Sequence, residues 1–345
     1  MSLHSEILEQ PQRIAALLRD QKQTVQEIAR VVRARGVQYV LVAARGTSDN
    51  AGRYANYLWG AHNGLPLALA APSLFTCYQS PPRLRDALVV GISQSGQSPD
   101  IVSVLEEGRR QNCLTLAIVN TPDSPLARAA DLVLDIQAGE EKAVAATKTY
   151  TAELAAVAML SAALDPSAAR WDELAAVPAF AAQSLALDAD VARLAQRYRY
   201  MRQCVTLGRG FNYATAFEWA LKLKELTYTV AEPYSSADFQ HGPIAMVEDG
   251  FPILAAAPTG QTLDSLRALL SKLREEHRAE LVVLSDDAST LDLAQSPIPL
   301  PSGIPEWLTP IVGILPAQLF ACHLTSAKGL DTERPRAISK VTETR

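Results

Sequence analysis

A short loop of small polar residues, SQSGQS at 93–98, could bind an anion. It lies between the β-rich apolar run ALVVGI and the helical pattern PDIVSVLEEGRRQ. Backbone N–H groups at a helix N-terminus, the helix dipole and nearby hydroxyl groups together favour negative charge. Because the loop contains no Lys or Arg and lacks the GxxxxGK[ST] pattern, it predicts a sugar-phosphate site rather than a nucleoside triphosphate site. The structural alternative is that Ser98 only caps the helix.

A second polar loop, RGTS at 45–48, follows the β-rich run VQYVLVAA. Ligands of open α/β sheets bind beyond the carboxyl ends of the strands, so Thr47 and Ser48 are candidates for the same anion. An N-cap explains Ser48 equally well. The run TGQT at 259–262 repeats the first loop less faithfully. We therefore expect one phosphate site per chain, in the first half.

Three charged residues on one predicted helix could perform proton transfer. Glu218, Lys222 and Glu225 stand at i, i+4 and i+7 and share a helix face. The functional interpretation is a carboxylate base steered by a lysine. A solvated ladder of ion pairs gives the same spacing, and spacing alone favours that ladder.

Two further residues near chain breaks are candidates for the same chemistry. His241 is followed by Gly-Pro, which places it at the end of an element, where an imidazole can act as acid or base or be a buried structural residue. Lys340 lies beyond Pro335, which a helix cannot pass. It is either a surface lysine of a frayed tail or an amine that the tail carries into the site.

The elements that position these residues alternate between strands and helices. Short continuous apolar strands separated by helices predict an α/β fold with parallel sheets covered on both faces. A long helix is predicted from Lys148 to Leu164. The predicted strands are 37–44, 87–92, 114–120, 131–136, 204–210, 251–257 and 280–286.

The pattern is duplicated. Arg45-Gly46 recurs at Arg209-Gly210, and the loop 95–98 recurs at 259–262, both at an offset of 164 positions. This predicts two tandem doubly wound parallel-sheet domains. The predicted segments are an N-terminal helical segment (1–35), the first domain (36–165), a helical connector (166–197), the second domain (198–329) and a C-terminal tail over the site (330–345).

Composition excludes several other classes. With 32 Lys+Arg against 37 Asp+Glu and no basic run, nucleic acid is not an expected partner. The four cysteines are far apart, and no metal-ligand spacing exists, so we expect no disulfide, metal or cofactor. The first residues lack a signal pattern, which favours the cytoplasm. The apolar run 307–324 contains two prolines and predicts a buried helix rather than a membrane span.

Seven motifs along nearly the whole chain resemble the double sugar-isomerase-domain (SIS) family, in particular the isomerase half of glutamine-dependent glucosamine-6-phosphate synthase. They are RGTS (45–48), ISQSG (92–96), VAATK (144–148), GRG (208–210), ALKLKE (220–225), HGP (241–243) and PR (335–336). The resemblance implies a flavodoxin-like fold for both domains, a sugar-phosphate substrate and no metal.

The resemblance also implies roles for individual residues. Glu225 would move a proton between C1 and C2 of the sugar, with Lys222 and Glu218 in support. His241 would help to open the sugar ring, reaching across from a partner subunit, and Lys340 would lie at the sugar carbonyl. The residues that would hold the substrate, mainly its 6-phosphate, are Thr47, Ser48, Ser93, Gln94, Ser95, Ser98 and Ala145.

Departures from the synthase change the expected activity. The synthase begins with a glutaminase domain and its terminal cysteine, whereas here the first cysteine after Met1 is Cys77, so we expect no ammonia from glutamine. Gln97 and Asp238 stand where the synthase has, respectively, an acidic residue and a glutamate. The segments 45–51 and 336–344 look more like stand-alone SIS-type glucosamine-6-phosphate deaminases.

The expected reaction is conversion of glucosamine 6-phosphate and water to fructose 6-phosphate and ammonia, by a homodimer with shared active sites. Apolar helical stretches at 154–164 and 307–324 exceed what one sheet face needs, which favours an oligomer. A related phosphosugar isomerase, a galactosamine-6-phosphate deaminase or a fructosamine-6-phosphate deglycase would share the same residues. A non-catalytic sugar-phosphate sensor is the third alternative, and the negative net charge argues against its usual DNA-binding domain.

Overall fold

The computed structural model describes residues 2–165, 167 and 169–340, which fall into two compact units. The first unit consists of the described residues within Glu9–Lys142, Ala146–Ala176 and 338–340. The second consists of those within 2–8, Ala143–Ala145 and Val177–Ala337. Predictions for the end of the tail, 341–345, lie outside the described residues.

The helices follow the predicted alternation. In chain order they are α1 (Leu3–Leu8), α2 (Gln10–Asp20), α3 (Lys22–Arg35), α4 (Gly46–Asn63), α5 (Ser73–Thr76), α6 (Pro99–Arg110), α7 (Pro125–Ala129), α8 (Lys148–Leu164), α9 (Ala169–Leu185), α10 (Asp188–Arg197), α11 (Tyr213–Lys222), α12 (Ser236–Phe239), α13 (Leu263–Glu275), α14 (Ala288–Leu291) and α15 (Thr309–Ala327). Short 3₁₀ turns lie at Gly210–Asn212, Pro243–Met246 and Glu306–Leu308, and a π-helical turn at Leu223–Thr227.

The strands form two parallel sheets of five. They are β1 (Tyr39–Ala43), β2 (Leu67–Leu69), β3 (Ala87–Ser93), β4 (Leu114–Val119), β5 (Leu132–Asp135), β6 (Gln203–Gly208), β7 (Val230–Ser235), β8 (Pro252–Ala256), β9 (Glu280–Ser285) and β10 (Ser296–Pro299). The first unit has the order β2-β1-β3-β4-β5 and the second β7-β6-β8-β9-β10. Both are the 2-1-3-4-5 order of flavodoxin-like folds, so the predicted fold class is confirmed.

The core of the first unit explains why its central strands read as continuous apolar runs. Leu41 and Ala43 of β1 face a cluster that includes Val104 and Leu105 of α6. Helices on the other face, α4 and α8, are joined by a hydrogen bond from Trp59 Nε1 to the Val157 carbonyl of 3.1 Å. Because both faces of β3 and β4 are covered, side chains that point to either face are buried, and the strands are therefore mainly apolar along their length.

The second unit repeats this arrangement. Leu207 of β6 and Ile253 of β8 pack in a cluster with Leu266 and Leu270 of α13. Trp219 of α11 meets Phe320 of α15 edge to face, with ring centroids 5.8 Å apart. Both units are therefore layered α/β structures with their own cores.

The apolar run near the C-terminus is an internal helix. The stretch Glu306–Ala327 is long and apolar enough to cross a bilayer by length and composition. Its most apolar window is 94% buried within the protein. The predicted buried helix is confirmed.

Three strands were not predicted: β2, β7 and β10. They lie toward the sheet edges and are short or contain proline, namely Pro233 in β7 and Pro297 and Pro299 in β10. Proline is tolerated at edges because one side of an edge strand donates no ladder bonds. Sequence periodicity therefore gave no signal there.

Candidate active site

The two polar loops of the first unit lie at the point where its strand order reverses. Strands β1 and β3 are neighbours at the centre of the sheet, and the loops 45–48 and 93–98 follow their carboxyl ends. In doubly wound sheets this switch point is where ligands bind. Arg45 connects the first loop to the helix that follows the second, because its Nε donates to Oδ2 of Asp100 in the first turn of α6 at 2.9 Å.

Arg45 adds positive charge to this edge. Its side chain is 52% exposed, whereas the Asp100 carboxylate that holds it is 1% exposed. The sequence places Arg45 in the second polar loop, in the repeated Arg-Gly pair and in a family motif, but assigns it no role in ligand binding. Its position directly after a buried strand was the available signal for a cation at this edge of the sheet.

The 93–98 loop is shaped by its own hydroxyl groups. The backbone N–H of Gly96 donates to Ser93 Oγ at 3.0 Å, and that of Gln97 donates to Ser95 Oγ at 3.3 Å. Gly96 has a φ of +62°, and a Cβ there would lie 2.2 Å from Ser124 Oγ. Glycine is therefore required both for the left-handed backbone and for the close approach.

Ser98 does not act as the predicted capping side chain. It occupies the N-cap position of α6, but its hydroxyl makes no capping hydrogen bond within the described residues. The capping interpretation of Ser98 is wrong in this respect. Ser93, Gln94, Ser95 and Ser98 are all partly exposed, so their polar groups remain accessible beside the N-terminus of a twelve-residue helix.

Thr47 and Ser48 differ in their surroundings. Thr47 is half-buried, whereas Ser48 is 8% exposed and donates its hydroxyl to Oε1 of the buried Glu153 on α8 at 2.8 Å. The side chain of Ser48 thus fixes α4 against α8 and does not cap its own helix. Glu153 was not predicted from the sequence.

Lys340 is held by a buried carboxylate in the first unit. Its Nζ lies 2.5 Å from Oε2 of Glu141, whose side chain is fully buried. Glu141 also accepts hydrogen bonds from the backbone of Thr147 at 2.9 Å and from the hydroxyl of Thr149 at 2.8 Å. The described part of the tail therefore makes a specific contact at Lys340. Ala145, in the segment that precedes α8, is 2% exposed.

The repeated loop of the second unit differs chemically from the first. Gly260 is packed so closely by Glu306 that a Cβ would lie 2.4 Å from Oε1 of that carboxylate. The N–H of Thr259 donates to Oδ1 of Asp286 at 2.6 Å. Two carboxylates therefore lie against this loop, and their negative charge would disfavour a phosphate there.

Glu218, Lys222 and Glu225 form a buried charged triad in the second unit. Lys222 Nζ lies 2.5 Å from Oε2 of Glu225 and 3.4 Å from Oε1 of Glu218. The side chains of Glu218 and Lys222 are 0% and 1% exposed, and that of Glu225 is 23% exposed. The interpretation as a solvated ladder is wrong, since water reaches only Glu225.

The electrostatics of the triad keep the lysine charged. Burial alone would lower the pKa of Lys222, but the charges of Glu218 and Glu225 outweigh burial and raise that pKa well above the ordinary 10.5. A permanent ammonium beside Glu225 orients one carboxylate oxygen. The other oxygen of Glu225 can then accept or deliver a proton.

A change of helix type positions Glu225. The α-helix α11 ends at Lys222, and Leu223–Thr227 form a π-helical turn that contains Glu225. Such turns are rare in proteins as a whole, and those that occur are frequently located at functional sites. The sequence predicted a continuous α-helix, because the apolar spacing does not reveal a single wider turn.

His241 and the start of the tail also lie in the second unit. His241 is exposed and follows α12, with Gly242 at a φ of +126° directly after it. The guanidinium of Arg336 lies 3.7 Å from the ring centroid of Tyr228, and the backbone N–H of Arg336 donates to Tyr228 Oη at 2.8 Å. Tyr228, three residues after Glu225, thus anchors the start of the tail.

These features define a class: tandem doubly wound α/β proteins with an anion-compatible loop at one switch point and a buried Glu-Lys-Glu triad. The chain belongs to the SIS domain family, whose model matches residues 35–163 and again 199–327. The predicted resemblance and the duplication are thereby confirmed.

Individual relatives narrow the class further. The isomerizing glutamine–fructose-6-phosphate aminotransferase of Mycobacterium bovis is 34% identical over 360 aligned residues, which cover 97% of this chain and 56% of that protein. The chain spans about half the length of the curated relatives it matches. Its homology is to the isomerase half of these enzymes.

Solved structures give the same result. The C-terminal domain of glucosamine-fructose-6-phosphate aminotransferase from Francisella tularensis superposes with a TM-score of 0.86 at 28% identity, over 96% of this chain and 98% of that one. A proposed phosphosugar isomerase from Silicibacter pomeroyi DSS-3 has a TM-score of 0.86 at 32% identity, over 96% and 100%. Both solved structures therefore have the fold of this chain over nearly its whole length.

Proposed function

We propose that the chain is an amino-sugar phosphate deaminase that converts glucosamine 6-phosphate and water to fructose 6-phosphate and ammonia. The observation that carries the proposal is the buried ammonium of Lys222 beside the partly exposed carboxylate of Glu225. Proton transfer between C1 and C2 of an open-chain sugar requires such a positioned base. The 93–98 loop supports the proposal from the substrate side, since it offers backbone and hydroxyl donors to a 6-phosphate.

The proposed reaction releases the amino group of the substrate as ammonia, so it needs no separate nitrogen donor such as glutamine. Glu225 takes the proton from C2 of the open-chain sugar, the C1–C2 enolamine forms, and the carbonyl oxygen at C1 gains a proton. Return of a proton to C1 leaves an imine at C2. Water adds to C2 and ammonia departs, which gives the ketone of fructose 6-phosphate. In this scheme Lys340, held by Glu141, stabilises the charge that develops on the C1 oxygen.

The proposal assigns ring opening to His241 and includes a homodimer in which this imidazole serves the partner's site. The exposure of His241 supports that assignment, because an exposed side chain is accessible to a second chain. Mixed chains test it: Glu225→Gln and His241→Asn proteins, each inactive alone, should regain activity after unfolding and joint refolding. If the mixture stays inactive although hybrid dimers form, sharing of the site is refuted.

The base assignment is tested by Glu225→Gln, which keeps the size of the side chain and removes the proton acceptor. We expect turnover to fall by at least about 100-fold, the lower range for general base catalysis. Binding of fructose 6-phosphate, measured by calorimetry, should be nearly unchanged. Glu276→Gln, an exposed glutamate outside the triad, is the matched control. Full turnover by Glu225→Gln would refute the assignment.

A further inference from the structure

Three side chains from distant parts of the chain meet in the second unit. They are His4 on α1, Asp188 at the start of α10 and His323 on α15. His4 Nε2 lies 3.0 Å from both carboxylate oxygens of Asp188, and His323 Nε2 lies 2.6 Å from Oδ1. One donor atom of each residue lies within 4.8 Å of the other two.

We propose that His4, Asp188 and His323 form a site for a divalent transition metal of the zinc class. Two imidazole nitrogens and one carboxylate oxygen are donors that such ions prefer, whereas magnesium and calcium require mainly oxygen. No charged side chain other than these three is needed to complete the set, because protein sites with three ligands commonly take water as the fourth.

The distances fit an ion with small adjustments. A tetrahedral zinc ion about 2.0–2.1 Å from its ligands holds them about 3.3 Å apart. The two donor separations to Asp188, 3.0 and 2.6 Å, are within a fraction of an ångström of that value. The two imidazole donor atoms lie within 4.8 Å of each other, and side-chain rotation would bring them to the ion. Binding would use the Nε2 lone pair of each neutral imidazole, so each ring would carry its single proton on Nδ1.

The exposure of the site permits entry of an ion. The side chains of His4, Asp188 and His323 are 36%, 32% and 21% exposed, so the cluster is accessible to water. Each residue comes from a different helix, and 184 residues separate His4 from Asp188. Bound metal would therefore fasten α1 to α10 and α15. The linear spacing could not reveal this set, and the sequence predicted no metal site.

The test is metal binding by the full chain after chelator treatment. Zinc affinity is measured by competition with a chromophoric chelator, and cobalt(II) substitution reports the ligand geometry through its visible absorption. We expect one zinc ion per chain and a tetrahedral cobalt spectrum. Removal of a group that only hydrogen-bonds to a metal ligand typically weakens metal binding 10–100-fold. His4→Gln and His323→Gln each remove a ligand itself, so each should weaken zinc binding by at least about 100-fold.

His277→Gln, a half-buried histidine outside the cluster, is the matched control and should bind zinc like the parent. Hydrogen exchange gives a second readout, since zinc should slow exchange of α1 amides in the parent and in this control only. Absence of stoichiometric zinc binding, or equal affinity in His4→Gln, His323→Gln and the control, would overturn the proposal and leave a hydrogen-bonded His-Asp-His cluster.

Discussion

The replacement of Lys222 by methionine tests the energetics of the triad. Methionine keeps most of the aliphatic stem but removes the ammonium that contacts Glu218 and Glu225. Glu218 is fully buried, so its carboxylate cannot gain solvation in place of that ammonium. Removal of one partner from a buried ion pair costs about 3–5 kcal/mol. Glu225 is 23% exposed and recovers some hydration, so most of the cost arises at Glu218.

The assay is unfolding in urea, monitored by tryptophan fluorescence. Trp219 on α11 is a buried probe three residues before Lys222 in the sequence. The Lys222→Met protein should unfold at a lower urea concentration with an unchanged slope. Lys272→Met on the exposed face of α13 should change stability by less than about 0.5 kcal/mol. A double change, Glu218→Gln with Lys222→Met, should recover part of the loss, because no carboxylate is then left at position 218.

The same triad predicts a pH dependence. Because the pKa of Lys222 is higher in the folded chain than the ordinary 10.5, its contribution to stability is fully present below that value. The contribution is lost as the pH rises further, through the raised folded-state pKa.

If Lys222→Met and Lys272→Met unfold at the same urea concentration, the argument that the triad is a buried ion pair is refuted.

Two further predictions concern the loop and the thiols. Gly96→Ala should weaken binding of fructose 6-phosphate by at least tenfold, about 1.4 kcal/mol, because the added Cβ would lie 2.2 Å from the hydroxyl of Ser124. Gly60→Ala is the control and should bind normally, because there is open space around Gly60. Equal affinities of the two variants in calorimetry would contradict the assignment of the 93–98 loop as the phosphate site. Burial raises the pKa of Cys204 and Cys322 to about 12. At neutral pH a disulfide reagent should therefore modify the exposed Cys77 rapidly, and Cys204 and Cys322 only after unfolding. Rapid labelling of Cys204 or Cys322 in the native chain would show that the core is more open than described.

The central strands were predictable because burial on both faces requires continuous apolar residues, as in β3 and β4. The duplication was visible for a related reason: the same turn residues follow equivalent strands. The edge strands β7 and β10 were not predictable, since proline there costs no ladder bond and hides the pattern.

The candidate site was predictable only where chemistry is local in sequence. The 93–98 loop and the Glu218–Glu225 face each lie within one short segment. Glu141, which holds Lys340 from 199 residues away, and the contact of Ser48 with Glu153 depend on tertiary packing and carry no local signal. The π-helical turn at Glu225 likewise follows from packing, because a single wider turn leaves the apolar spacing almost unchanged.

The most direct test of the central claim is ammonia release from glucosamine 6-phosphate by the purified chain without glutamine. We predict that ammonia and fructose 6-phosphate appear in equal amounts, and that Glu225→Gln abolishes both. Tight binding of glucosamine 6-phosphate with neither product would contradict the deaminase assignment but would remain compatible with the proposed phosphate-binding role of the 93–98 loop.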